Sequence, residues 1–270
     1  MKRTIWALTV IGIVALAGCK NSQLLSHAAE TLPPDPAPQA SDLTAEQLLA
    51  KYLAARGGEE KLAEIQSVTM AGKWETKQIS SSPITLTVAP GRYLRRTEPG
   101  SGIVMIKAVD GESTWEVTPQ TGITKPMPMV DKEAVRFRRL ADPLGPLVNS
   151  QAKGNKIEVA GKMPWNNSQV YKLKVTFRDG GVNYIYLDAQ TFLPVRLLDT
   201  MYVSQLEESI DLEFTYGDYR DVGGVKWPFH EEANAPEVNF KHVLTWERVE
   251  VNQPVNESAF KAASFEAPKS

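Results

Sequence analysis

The sequence predicts an α+β domain that is mostly β: one large curved antiparallel sheet of about eleven strands, an unclosed half-barrel covered by helices. Three observations predict it. From residue 68 onward, apolar and polar residues alternate with period two in one short run after another. Turn residues separate the runs at short intervals, and strands joined by short turns pair antiparallel, because parallel strands need long crossovers. Only two stretches carry helical spacing. A sheet of this size must curl or split. Curling leaves an apolar inner face, and the helices are the elements available to cover it.

The elements follow in order. Thr44, with Gln47 three residues later, forms a capping box for a first helix. Leu48, Leu49, Tyr52 and Leu53 give that helix an apolar stripe, and Gly57-Gly58 stops it. A short turn bearing Leu62 and Ile65 follows. Val68, Met70 and Trp74 then alternate with Thr69, Lys73 and Glu75, which is strand behaviour. Further strands are predicted at 84–89, 92–97, 103–109 and 113–118, the last two joined by an Asp110-Gly111 hairpin. Residues 125–149 break the pattern. Pro126-Met127-Pro128-Met129 is expected to lie outside any regular strand, since proline lacks the ladder donor. Asp131 is expected to cap a helix to about Ala141, with Val135, Phe137 and Leu140 apolar. Strands resume at 156–160, 170–177, 182–187, 194–200, 209–216, 226–232 and 239–250, divided by turn signals such as Asp179-Gly180-Gly181 and Gly223-Gly224.

Composition excludes several classes. A hydrophobic content of 42% suffices for a real core, and a net charge of −2 with no basic stripe argues against nucleic-acid binding. Arg136-Phe137-Arg138-Arg139 is too short a cluster for a polyanion site. Catalytic patterns are poor. Of the three histidines, His27 precedes the domain, and His230-Glu231-Glu232 falls in a strand, where neighbours point to opposite faces. There is no nucleophile elbow and no phosphate-binding glycine loop. No enzyme activity, metal or cofactor is expected.

The N-terminus has the three parts of an export signal. Lys2 and Arg3 are positive, residues 5–16 are apolar, and Ala17-Gly18 precede Cys19, the only cysteine. The apolar run is shorter than the roughly 20 residues a spanning helix needs. Leu16-Ala17-Gly18-Cys19 resembles the bacterial lipobox, in which the cysteine is acylated and becomes the new N-terminus. Residues 1–18 are then a signal peptide, 19–41 a lipidated cysteine with a flexible proline-rich tether, and 42–270 the single domain. The residue after Cys19 is lysine rather than aspartate, which leans towards the outer membrane, facing the periplasm, with the inner membrane as the alternative.

Several short motifs resemble one family. Ala89-Pro90-Gly91-Arg92-Tyr93, Asp110-Gly111-Glu112-Ser113-Thr114-Trp115 and Val255-Asn256-Glu257-Ser258-Ala259-Phe260 resemble, in order, three motifs of the periplasmic lipoprotein carriers, the LolA-like proteins. Residues 219–228 resemble a strand pair frequent in outer-membrane lipoprotein-sorting proteins of that superfamily. The resemblance implies an open barrel with a helical lid over a cavity for lipoprotein acyl chains or other lipids. In the soluble carriers an arginine linked to lid closure stands where this chain has Ala89. That departure, with the anchor at Cys19, is more similar to a LolB-like anchored acceptor that receives cargo from a periplasmic carrier.

On this reading the candidate cavity residues are Val68, Met70, Trp74, Leu94, Trp115, Phe137, Leu140, Leu144 and Leu147. Simple core packing is the alternative for each, because a cavity lining and a core look alike in sequence. Met127 and Met129 are candidates for the cavity mouth. The expected partners are acyl chains, the membrane through the anchor and a carrier protein, with the chain itself a monomer. The rival reading is an envelope sensor that uses the same fold to bind a protein.

Overall fold

Alternation along the strands is what builds this molecule: one residue in two is apolar and turns to a common inner face, and the sheet curls to bury that face. The computed structural model describes residues 31–265, apart from residues 78, 80, 101 and 205. The expected signal peptide and Cys19 lie outside the described residues.

Two helices, α1 (Ala45–Arg56) and α2 (Glu59–Ala63), precede the strands. The Thr44–Gln47 capping box is formed in both directions, and α1 ends at Gly57. Six strands follow: β1 (Val68–Thr76), β2 (Ser82–Ala89), β3 (Arg92–Gly100), β4 (Ile103–Asp110), β5 (Ser113–Thr118) and β6 (Ile123–Pro128). Helix α3 (Asp131–Leu140) and a turn-rich crossover lead to the rest. These are β7 (Lys156–Trp165), β8 (Ser168–Thr176), β9 (Val182–Asp188), β10 (Pro194–Val203), β11 (Glu208–Val222), β12 (Val225–Ala235) and β13 (Phe240–Val251).

All thirteen strands form one antiparallel sheet, in the order β6-β5-β4-β3-β2-β1-β13-β12-β11-β10-β9-β8-β7. It is two meanders joined at the middle by the first and last strands, with Val68 opposite Val251 and Trp74 opposite Leu244. The outer edges β6 and β7 do not pair, so the half-barrel stays open. Two details depart from expectation. The proline-bearing segment 123–128 joins the sheet as β6, which is possible because an edge strand needs hydrogen bonds on one side only. Asp131 is the first residue of α3 rather than its cap; Val130 holds the cap position without a side-chain bond.

At one end, the inner face is filled by α1, α2 and the crossover. Leu48, Tyr52, Leu62 and Ile65 pack with Leu147 and Val148 against Val68, Val225, Trp227 and Phe229. Each such side chain contributes about 1.5–3 kcal/mol when fully buried.

Both described ends of the chain pack on the outer face. At the C-terminal end a short 3-10 turn, Glu257–Phe260, buries Phe260. At the N-terminal end, residues expected to be a flexible tether are docked. The Asp35 carboxylate accepts hydrogen bonds from Lys172, Tyr186 and Arg196, and Gln39 forms a β-bridge with Lys162. The docking needs Gly161, where an added Cβ would stand 2.6 Å from the Cβ of Pro38. The prolines hold the segment extended, and the buried Arg196 and half-buried Lys172 supply the reason for it to stay.

Candidate functional site

Helix α3 is built to roof a cavity. Glu133, Arg136, Phe137 and Leu140 stand at i, i+3, i+4 and i+7, so they share one face, and all four line the space beneath. Asp131 and Glu133 lie in its first turn and Arg138 and Arg139 in its last, which suits the helix dipole. The two inward charges tie the helix to opposite arms of the half-barrel. Lys107 on β4 donates to Glu133 at 2.6 Å and to Glu116 on β5. Arg136 Nε donates to Asp199 Oδ2 on β10 at 2.6 Å. A backbone bond from Gly91 N to Ala141 O, 2.8 Å, fixes the helix end to the β2–β3 turn. Phe137 meets Tyr93 edge to face, with ring centroids 5.7 Å apart.

The cavity has a volume of about 390 Å³. Its walls are mostly apolar: Trp74, Ile84 and Leu86 from β1 and β2, Leu197 and Met201 from β10, Leu212 and Phe214 from β11, Leu244 and Trp246 from β13.

A few polar groups interrupt this lining. The inward positions of β12 are Val225, Trp227, Phe229, Glu231, Ala233 and Ala235, so Glu231 is the lone acid in an apolar stripe. Along β13 the matching series is Phe240, His242, Leu244 and Trp246. Along β3 it is Tyr93, Arg95 and Thr97. Burial pushes the Glu231 carboxyl up to about 7, and Arg95 and Arg136 only partly offset this. Burial, with the same two arginines, holds His242 down to about 3, so its ring is neutral at physiological pH. Neither ring nitrogen of His242 has a hydrogen-bond partner, and nor does Trp74 Nε1, although both side chains are buried.

The structure sorts the residues singled out from the sequence into three groups. Trp74, Phe137 and Leu140 line the cavity. Val68, Met70, Leu144 and Leu147 are on the inner side but pack into the core with α1 and α2 and do not line it. Leu94 and Trp115 are corrected to the outer face. Their neighbours Arg95 and Glu116 point into the cavity, so strand alternation turns these two outward. There they pack with Val104, Ala108 and Val117, and Trp115 Nε1 donates to Phe260 O at 2.6 Å. Met127 is exposed at β6, whereas Met129 is buried in the core. The sequence reading missed Arg95, Glu231 and His242. For Glu231 and His242 the signal was a single polar residue at an inward position of an otherwise apolar alternation; Arg95, between Tyr93 and Thr97, had no such signal.

No family model matches the chain, and no curated protein does. Solved structures do. A LolA superfamily protein from Nitrosomonas europaea superposes with a TM-score of 0.50 at 13% identity, covering 81% of this chain and 98% of its own. An outer membrane lipoprotein-sorting protein domain from Vibrio parahaemolyticus gives 0.51 at 10% identity, covering 80% and 95%. A DUF1329 family protein from Desulfovibrio piger gives 0.54 at 10% identity, covering 86% and 100%. The protein is therefore of the class defined by an open antiparallel half-barrel with a helix over its inner face. The particular version is the LolA-like fold.

Proposed function

We propose that the protein is a non-catalytic lipoprotein, anchored through Cys19 to the outer membrane and facing the periplasm. It holds acyl chains of lipoproteins or other lipids and serves their sorting, as an acceptor for cargo delivered by a carrier protein. The observation that carries this reading is the apolar cavity between the open sheet and α3. An acyl chain in water loses about 0.8 kcal/mol for each methylene left exposed, so moving one through an aqueous compartment requires such a shelter. The helix above the cavity is held by ion pairs from Glu133, Arg136, Arg138 and Arg139 and by a backbone bond at its end, ties that can part and re-form. The names of two structural neighbours, a LolA superfamily protein and a lipoprotein-sorting domain, support the same class of cargo.

Native mass spectrometry of the full chain, isolated from its membrane, tests this. Stoichiometric acyl lipid is the expected result. A chain that comes out empty and takes up neither lipoprotein nor fatty acid overturns the reading. Cys19→Ser should release the protein from membranes; continued attachment refutes the anchor.

A further inference from the structure

The polar groups of the cavity are not scattered. His242 lies opposite Ala233 on β12, and Leu244, two residues on, lies opposite Glu231. Glu231 is therefore a diagonal neighbour of His242 on the same face. Trp74 also faces Leu244 and is the diagonal neighbour on the other side, its ring centroid 6.4 Å from that of His242. Arg95 comes from the opposite arm and lies near enough to bias the protonation of both Glu231 and His242. Arg136 is committed to Asp199 and Lys107 to Glu116 and Glu133. Arg95 and Glu231, by contrast, form no ion pair among the described residues.

Buried polar atoms without partners are rare in folded proteins, because each costs about 1–3 kcal/mol. Here three such nitrogens belong to Trp74 and His242, whose side chains line one cavity beside Arg95, a guanidinium that among the described residues has no ion pair and only the Tyr93 hydroxyl as a side-chain partner. Most of what they offer is donors: the indole N–H, one imidazole N–H and the guanidinium. A carboxylate or phosphate oxygen is the group that accepts from such a set. The size of the cavity bounds the rest of the ligand. At about 390 Å³ it is large enough to shelter one chain of roughly a dozen carbons.

We propose that the cavity binds a single-chain amphiphile with an anionic oxygen headgroup, the headgroup received by Arg95, Trp74 and His242 and the chain lying along the apolar wall beneath Phe137 and Leu140. This rests on the acyl-binding reading and narrows its cargo. Glu231 then sets a pH dependence. Protonated, it donates to the same headgroup; ionised, it repels it. The charged and titratable groups around it are Arg95 and Tyr93 from β3, Arg136 from α3, Tyr216 and Tyr219 from β11, His242 from β13 and its own neighbour His230.

The test is isothermal titration of the full chain carrying Cys19→Ser with decanoate, decyl phosphate, decanol and a triacylated lipopeptide. Decanoate or decyl phosphate should bind one per chain and at least about tenfold more tightly than decanol, a difference of about 1.4 kcal/mol. Which of the two anions is preferred identifies the headgroup. Arg95→Met should bring the preferred anion to the level of decanol and leave decanol unchanged, while Arg95→Lys keeps part of the preference. The anion's affinity should fall from pH 6 to pH 8, and Glu231→Gln should abolish that fall. Equal binding of decanol and both anions by the unmodified cavity overturns the headgroup and leaves acyl binding standing, a comparison that needs no cavity variant. Uptake of the triacylated lipopeptide alone overturns the single-chain inference and leaves the sorting reading intact. No binding of any probe overturns both.

Discussion

Asp35 accepts a hydrogen bond from Arg196 across 161 residues of sequence, on the outer face of the sheet. The same carboxylate takes Lys172 and the Tyr186 hydroxyl, and Arg196 also reaches Glu213. Burial alone would raise the Asp35 carboxyl, but the hydrogen bonds from Lys172, Tyr186 and Arg196 outweigh it and hold the group below the usual carboxylate range.

Asp35→Asn should therefore destabilise the fold. It leaves the buried Arg196 and the half-buried Lys172 with one negative partner fewer, a loss on the order of 3 kcal/mol. The sign of the pH dependence follows from the lowered carboxyl. Its contribution is full above the unfolded carboxylate range, near pH 4, and is lost as pH falls through the lower folded value. Urea unfolding should show wild type and variant separated at pH 7 and converging in acid. Equal midpoints at pH 7 would show that the strap contributes nothing.

Glu231 predicts the opposite slope. Its folded carboxyl sits near 7 against an ordinary 4.5, so the folded state keeps a proton that the unfolded chain releases between those values. Stability from this group falls as pH rises through that window. Glu231→Gln should raise stability at pH 8 by on the order of 2 kcal/mol and change little below pH 4. His242, held near 3 against an ordinary 6.5, loses stability as pH falls instead, so only the Gln variant separates the two. Thermal unfolding at both pH values reads the difference.

The Arg136–Asp199 pair predicts how α3 moves. Asp199→Asn removes the anion from a contact that is largely buried. The helix amides should then exchange with deuterium about tenfold faster or more, which corresponds to about 1.4 kcal/mol of lost opening energy. Those of β7 and β8, which do not touch Asp199, should be unchanged. Uniform exchange across the molecule would mean that the pair stabilises the fold and not the roof.

Leu140 and Trp115 form a matched pair of tests. Leu140→Glu places a charge in the apolar cavity and should abolish acyl uptake while the circular dichroism spectrum survives. Trp115→Phe, on the outer face, loses the bond to Phe260 O and should cost about 1 kcal/mol with uptake unchanged. Normal uptake by Leu140→Glu would remove α3 from the site, and loss of uptake in Trp115→Phe would link the C-terminal tail to it.

Much of this architecture was legible in the sequence because it rests on local periodicity. The alternation at Val68, Met70 and Trp74, the capping box at Thr44 and the 131–140 helix all encode themselves within a few residues. What was not legible depended on which face of the sheet a residue meets. Trp115 is as apolar as Trp74, and only the strand's phase relative to Glu116 puts it outside. Asp35 was read as part of a loose linker because its partners lie far downstream. Pro126 and Pro128 argued against a strand, and nothing nearby revealed that β6 would be an edge.

The seam between β1 and β13 ties the integrity of the whole sheet to the last of its strands to be made. As the polypeptide emerges, β1 has one neighbour, β2, and waits for its other through nearly the entire length of the domain. Until β13 arrives, the two meanders are separate half-sheets, each presenting an unpaired edge at what will become the centre. Contacts so distant in sequence form slowly, and raw edges invite association with other chains in the interval. A nonsense mutation a few residues before Phe240 would thus do more than shorten the protein. It would leave two half-sheets with no strand to join them, each ready to pair with a strand from another molecule.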